Sequence, residues 1–160
     1  RVPSIRPHHE VGADGTRTTG HPIRGHAAVR RSDVGEPVAL PWTASGRVLV
    51  SHLSDAEILK LIPAGDFDLP DGKRLSERVF LKEVAQARAE GFFSCDGTGG
   101  RFTHCFAAAV YDQERQCVAT LCLLTPREEG LQEHRRYKAA LIEAAQQMTK
   151  RIGGERPVVA

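Results

Sequence analysis

No apolar run in these 160 residues approaches the roughly 18 needed to cross a bilayer, and no signal-peptide pattern opens the chain. Neither a membrane span nor secretion is expected. No Cys-x-x-Cys occurs, and the spacing of Cys95, Cys105, Cys117 and Cys122 is unlike that of zinc ligands. The expectation is free, buried thiols in a reducing, cytoplasmic setting, with no metal and no cofactor. There is no GxxxxGKS phosphate loop, no oxyanion motif and no internal repeat. Charge of one sign is also scarce in excess: 22 Lys and Arg against 20 Asp and Glu leave +2, too little to imply a nucleic-acid surface.

What is present fits a soluble globular chain, 41% apolar and 26% charged, of one domain's length. Such a chain buries roughly two-thirds of its unfolded surface. The first residue, Arg1, is not Met, which reads as a fragment or a processed chain. Residues 1–20 show no period and read as a flexible or divergent segment. His8, His9 and Glu10 lack the distant partners a metal would need. Residues 1–40 hold Arg1, Arg6, Arg17, Arg24, Arg30 and Arg31 against four acids, without interleaved aromatics, and read as a solvated flank.

The chain is organised around Gly91 to Pro126, GFFSCDGTGGRFTHCFAAAVYDQERQCVATLCLLTP. A polar loop precedes an apolar run from Cys105 to Tyr111, a reversal and a second apolar run from Cys117 to Thr125: a strand hairpin. With a two-residue turn at Gln113-Glu114, Val110 faces Cys117 and Cys105 faces Cys122. Alternation puts Cys105, Ala107, Ala109, Tyr111, Val118, Thr120, Cys122 and Leu124 on one face. Phe106, Ala108, Val110, Cys117, Ala119, Leu121 and Leu123 take the other. Two apolar faces require two covers: helices behind, and a pocket or a partner subunit in front. A Cys105–Cys122 bridge would need only slight strain, but free thiols are expected.

Around this core, short extended pieces are expected at His26–Val29 and Pro37–Pro41. Thr43 caps a helix to Leu53 with Val48, Leu49, His52 and Leu53 inward. Gly46 in its first turns costs about 1 kcal/mol relative to Ala. Either a ligand carboxylate or tight packing against the sheet accounts for that. Ser54-Asp55-Ala56-Glu57 is a capping box, and Pro63 stops its helix. Ser76 caps a helix from Glu77 to Glu90 bearing Phe80, Val84 and Ala87, with Gly91 as C-cap. A last helix runs from Gly130 to Ile152, its stripe Leu131, Tyr137, Leu141, Ala144 or Ala145, Met148 and Ile152. The tail 154–160 reads as mobile.

Four segments together resemble the C-terminal effector-binding domain of IclR-family bacterial transcription regulators: VGEPVALPWTASGRVLVSHL (Val34–Leu53), SDAEILKLI (Ser54–Ile62), the stretch from Leu81 to Pro126, and AAQQMTKRIG (Ala144–Gly153). The resemblance covers about residues 21 to 153. It implies an α/β, GAF-like fold, a mixed and mainly antiparallel sheet flanked by helices. It also implies a non-catalytic role, binding a small organic or aromatic acid within a homodimer or tetramer and passing the signal to DNA through a helix-turn-helix domain outside this chain.

Carried over by position, the family's pocket falls on Ala44, Ser45, Cys95 or Asp96, Cys105, Cys122 and Leu124, with Trp42 and Phe102 able to stack on a ring or to pack the core. Arg101, Thr103 and His104 would be lid contacts. The sequence departs from the family at Pro41-Trp42, at Cys95–Gly100 in place of an acidic patch, at Phe102 in place of Gly, and at Cys122 and Leu124 in place of hydroxyls. Those departures favour a ligand bulkier or less polar than a small keto acid. The rival readings are a cysteine-based redox or metal sensor, a small cysteine-dependent enzyme and a bare dimerisation module.

Overall fold

The structure is a computed structural model and describes residues 38–97 and 102–157. Its centre is a three-stranded antiparallel sheet of β1 (Phe92–Asp96), β2 (Thr103–Tyr111) and β3 (Cys117–Pro126), in that spatial order. The helices are α1 (Ala44–Leu49), α2 (Asp55–Leu61), α3 (Glu77–Glu90), α4 (Arg127–Gln132) and α5 (His134–Arg151). β1 extends the expected hairpin by a strand. The mixed α/β fold agrees with the sequence reading.

Both sheet faces are covered, as two apolar faces demand. On the first, Phe93, Ala107, Ala109, Tyr111 and Cys117 pack with Ala44 and Val48 of α1 and Ala87 of α3. On the second, Phe92, Phe106, Ala108 and Val110 pack against Leu141 and Ala145 of α5. The run Ala107-Ala108-Ala109 lets helices approach closely from both sides. A third cluster, Val50, Ile58, Ile62, Phe67, Phe80 and Val84, joins α2 to α3. Phe67 belongs to a 3-10 turn, Ala64–Phe67, that follows the stop at Pro63.

The hairpin register differs from expectation. The turn is one residue longer: Asp112 pairs with Gln116, its carboxylate accepts from the amides of Glu114 and Gln116, and Arg115 takes the left-handed conformation at φ 61°. A bulge between Val110 and Tyr111 then sets Tyr111 against Cys117 and Val110 against Ala119. Cys105 consequently faces Leu124, not Cys122, and Cys122 faces Ala107. Because the longer turn and the bulge each add one residue, the strands regain their parity. Cys105, Ala107, Ala109, Cys122 and Leu124 keep the common face read from sequence. Cys117 moves onto that face and Val118, the extra residue, is exposed.

The helix opening is assembled from short-range contacts. Leu40–Trp42 forms a 3-10 turn where an extended piece was expected, and Thr43 caps α1 by accepting the Gly46 amide. A Cβ on Gly46 would stand 2.0 Å from the Leu40 carbonyl oxygen, so its glycine answers to the chain's own backbone. Arg47, 5% exposed, donates to the Pro41 and Thr43 carbonyls and pairs with Glu83 on α3 at 2.7 Å. α1 ends at Leu49, which leaves His52 exposed rather than inward.

α2 opens with the expected capping box, and α3 keeps the expected bounds, with Gly91 left-handed at φ 62°. Ser76 makes no side-chain cap bond. The single C-terminal helix is two, parted at Glu133. Its buried stripe is Leu141, Ala145 and Thr149, while Leu131, Met148 and Ile152 are exposed. The tail is docked as far as it is described: Gly154 N–H donates to the Thr149 carbonyl, Glu155 N–H to that of Asp112, and Arg156 to that of Ala89. The piece at His26–Val29 lies outside the described residues.

Candidate functional site

α1 packs on the first sheet face through Ala44 and Val48. On that face one cross-strand row reads Cys95, Cys105, Leu124 and the next Phe93, Ala107, Cys122. Phe93 and Ala107 are buried, the three cysteines half-buried and Leu124 56% exposed. The result is a shelf of sulfur and hydrocarbon whose cysteines pack against the same cluster as Ala44 and Val48 of α1. Ala44 is buried at its inner edge. Ser45 is half-buried and donates its hydroxyl to Thr43 Oγ1 at 3.1 Å.

Gly97 folds back over the shelf, donating to the Thr103 carbonyl, and a Cβ there would lie 3.5 Å from Cys105 Sγ. Phe102, in the turn before β2, is 73% exposed. Trp42 is spoken for elsewhere, its indole N–H donating to the Asp66 carbonyl at 2.8 Å. Arg101 lies outside the described residues.

Burial pushes the Cys95 thiol up to about 11 and the Cys117 thiol up to about 12, the Arg47 guanidinium acting against the first shift. Both stay protonated near neutrality, which makes them poor nucleophiles. Cys95 and His104 do not meet, since they occupy opposite faces. Among the described residues no group of three or more His, Cys, Asp or Glu is placed to hold a metal.

Asp96, expected among the shelf residues, turns to the other face. Its carboxylate accepts from His104 Nδ1 and from Arg127 Nε, each at 2.9 Å. Those bonds, His104 first and Arg127 second, hold it below the usual carboxylate range. His104 is buried beneath α4, where a Cβ on Gly130 would come within 2.7 Å of its own Cβ, and its Nε2 has no protein partner. His134 sits 6.0 Å away, ring to ring, bonded through Nε2 to Ser94 Oγ at 2.9 Å. Burial, then His104, depress its pKa.

This polar layer was not foreseen. Reading Phe92–Asp96 as a strand would have revealed it, because Ser94 and Asp96 then share the parity of His104 and Phe106.

Asp96→Asn is expected to lower the melting temperature near neutrality, within the range of about 0–1 kcal/mol usual for exposed pairs. The native carboxyl's pKa is depressed, so its contribution is present above the unfolded value and fades as pH falls through the folded one. Melting curves of parent and variant should therefore converge in acid. A gap that stays constant from about pH 7 to about pH 2 would contradict the assignment.

The sequence profile described as bacterial transcriptional regulator IclR C-terminal matches residues 23–150. The transcriptional repressor IclR of Escherichia coli K12 is 24% identical over 133 residues, covering 82% of this chain and 48% of the repressor. Among solved structures, the Thermotoga maritima IclR superposes with a TM-score of 0.65 at 20% identity, over 82% of this chain and 54% of that one. The Agobacterium tumefaciens repressor BlcR gives 0.64 at 22%, over 78% and 51%. The two structures share the fold. The chain spans about half the length of the curated relatives it matches. No helix among the described residues is long and apolar enough to cross a membrane. With four-fifths of its length inside the profile, the chain belongs to the IclR C-terminal family of bacterial transcription regulators, a non-catalytic family.

Proposed function

We propose that this domain senses a small organic or aromatic acid on the thiol shelf and passes the signal through rearrangement of a homodimer or tetramer to a DNA-binding helix-turn-helix elsewhere in its parent regulator. The observation that carries this reading is the half-open row Cys95, Cys105, Leu124, with Cys122 beside it, its cysteines packed in one cluster with Ala44 of α1, in a family of regulators. A carboxylate would meet the first-turn amides of Ala44 and Ser45, which have no intrahelical acceptor, while Gly46's is already taken by Thr43. An apolar body would lie over the sulfurs, with Phe102 closing on it. Asp96 is reassigned to the opposite face and takes no part. The matched E. coli and A. tumefaciens proteins are both named repressors, which favours repression here.

Signalling needs differential affinity. A ligand held equally in two quaternary arrangements shifts nothing, however tightly it binds. A thermal-shift series with benzoate, phenylacetate and pyruvate tests the reading. The aromatic acids should raise the melting temperature more than pyruvate, by the linkage that gives about 2.7 kcal/mol at a hundredfold excess over Kd. Leu124→Glu and Ser45→Asp should each abolish the rise. A silent panel, or a rise that survives both substitutions, would overturn the shelf as the effector site.

A further inference from the structure

A cavity of about 590 Å³ opens away from the shelf, around the sheet edge where β1 begins. β2 runs on to Tyr111, but β1 starts only at Phe92, so the last stretch of β2 is paired with β3 on one side and has no strand on the β1 side. Other groups take its place. Ala109 N–H donates to the Gly91 carbonyl, Tyr111 N–H to Thr149 Oγ1, and Gly154 lies so close that a Cβ there would be 1.8 Å from the Tyr111 oxygen. Between this edge, the end of α5 and the docked tail lies a groove whose apolar lining includes Ala108, Ile142 and Ala145 of the second face.

Three features of that groove point to an anion. Tyr111 is only 6% exposed, yet its hydroxyl has no hydrogen-bond partner among the described residues and is not sealed from solvent. It meets Arg156 at Gly91, where a Cβ would stand 3.1 Å from the phenol oxygen and 3.4 Å from Arg156 Nε. The charges are also unevenly matched. Of the two acids lining the groove, Glu90 is paired with Lys138 at 2.5 Å and Glu155 with Arg115 at 2.9 Å, and neither cation is itself part of the lining. The two lining cations, Lys150 and Arg156, have no carboxylate within ion-pair distance among the described residues.

We propose that this groove is a second ligand site, independent of the shelf, which takes a small organic carboxylate. The head group lies on Arg156, Lys150 and the Tyr111 hydroxyl, and a short apolar body lies against Ala108, Ile142 and Ala145. One nitrogen of Arg156 is committed to the Ala89 carbonyl, which holds the guanidinium in place for the head group. Because Arg156 belongs to the tail and Lys150 to α5, the bound carboxylate joins both to the sheet edge.

The test is an amide-resolved NMR titration of the chain with 3-methylbutanoate, with uncharged 3-methylbutanamide and inorganic phosphate as separate arms. Saturable shifts are expected at Gly91, Ala109, Tyr111, Thr149 and Gly154 with the carboxylate alone. Arg156→Gln and Tyr111→Phe should each weaken binding about tenfold, and Arg156→Lys should restore part of it. Should Tyr111→Phe not fold, Lys150→Gln takes its place. No saturable shift at tens of millimolar, equal shifts with the amide, shifts with phosphate alone, or undiminished binding by the variants would overturn the proposal. Shifts confined to Ala44, Ser45 and Cys105 would also overturn it while favouring the shelf.

Discussion

Arg47→Ala is expected to cost about 3–5 kcal/mol of unfolding free energy, the range seen when one partner of a buried ion pair is removed. The guanidinium lies 5.3 Å from the Phe80 ring centroid and 5.1 Å from that of Phe93, while its nitrogens reach Glu83, the Pro41 carbonyl and the Thr43 carbonyl. One side chain thereby joins the 3-10 turn, α1, α3 and β1. Truncation leaves Glu83 without its cation, two carbonyls without a donor and a void where the stem packed. Arg47→Lys keeps the charge but not the fork and should recover only part of the loss. Arg136→Ala, at an exposed pair with Glu133, is the control and should cost under about 1 kcal/mol. Urea denaturation followed by circular dichroism measures all three. A loss below about 1 kcal/mol for Arg47→Ala would mean that the pair contributes little beyond its own desolvation.

Phe106→Ala should cost a similar amount, about 3–5 kcal/mol, for a different reason. The ring is buried on the second face, with centroids 4.8 Å from His104, 5.4 Å from His134, 5.7 Å from Tyr137 and 6.3 Å from Phe92. The loss is transfer free energy plus the cavity left between β2 and α5, which rigid helix packing prevents from closing. Phe106→Leu fills most of that space and should cost much less. Equal losses for the two variants, in the same denaturation assay, would show that the aromatic contacts rather than the volume decide the matter.

The sequence made the elements that depend on local chemistry legible. The capping box at Ser54, the stop at Pro63, the α3 stripe and the left-handed Gly91 follow from hydrogen-bond and dihedral preferences that need no tertiary context. The hairpin faces were legible too, because alternation survives any even change of register. Its partners were not. Arg115 takes the left-handed conformation without the glycine that ordinarily announces it, and the bulge at Val118 leaves no mark in composition.

The α5 stripe keeps the expected Leu141 and Ala145 but has Thr149 in place of Met148. Hydrophobicity favours Met148, but the edge of β2 needs an acceptor for the Tyr111 N–H, and buried Thr149 supplies one. At the candidate site, parity was enough to gather Cys105, Cys122 and Leu124. Asp96 was misplaced because Phe92–Asp96 had not been read as a strand.

The docked tail bears on where this folding unit should be taken to stop. The family match ends at residue 150, yet the carbonyls of Tyr111, Asp112 and Ala89 are covered or bonded by Gly154, Glu155 and Arg156. Trimming the chain to the matched boundary would bare the outer margin of β2 and uncap the final turn of α5. The hydrogen-bonded unit therefore runs at least to Arg156, a few residues past the end of the family match.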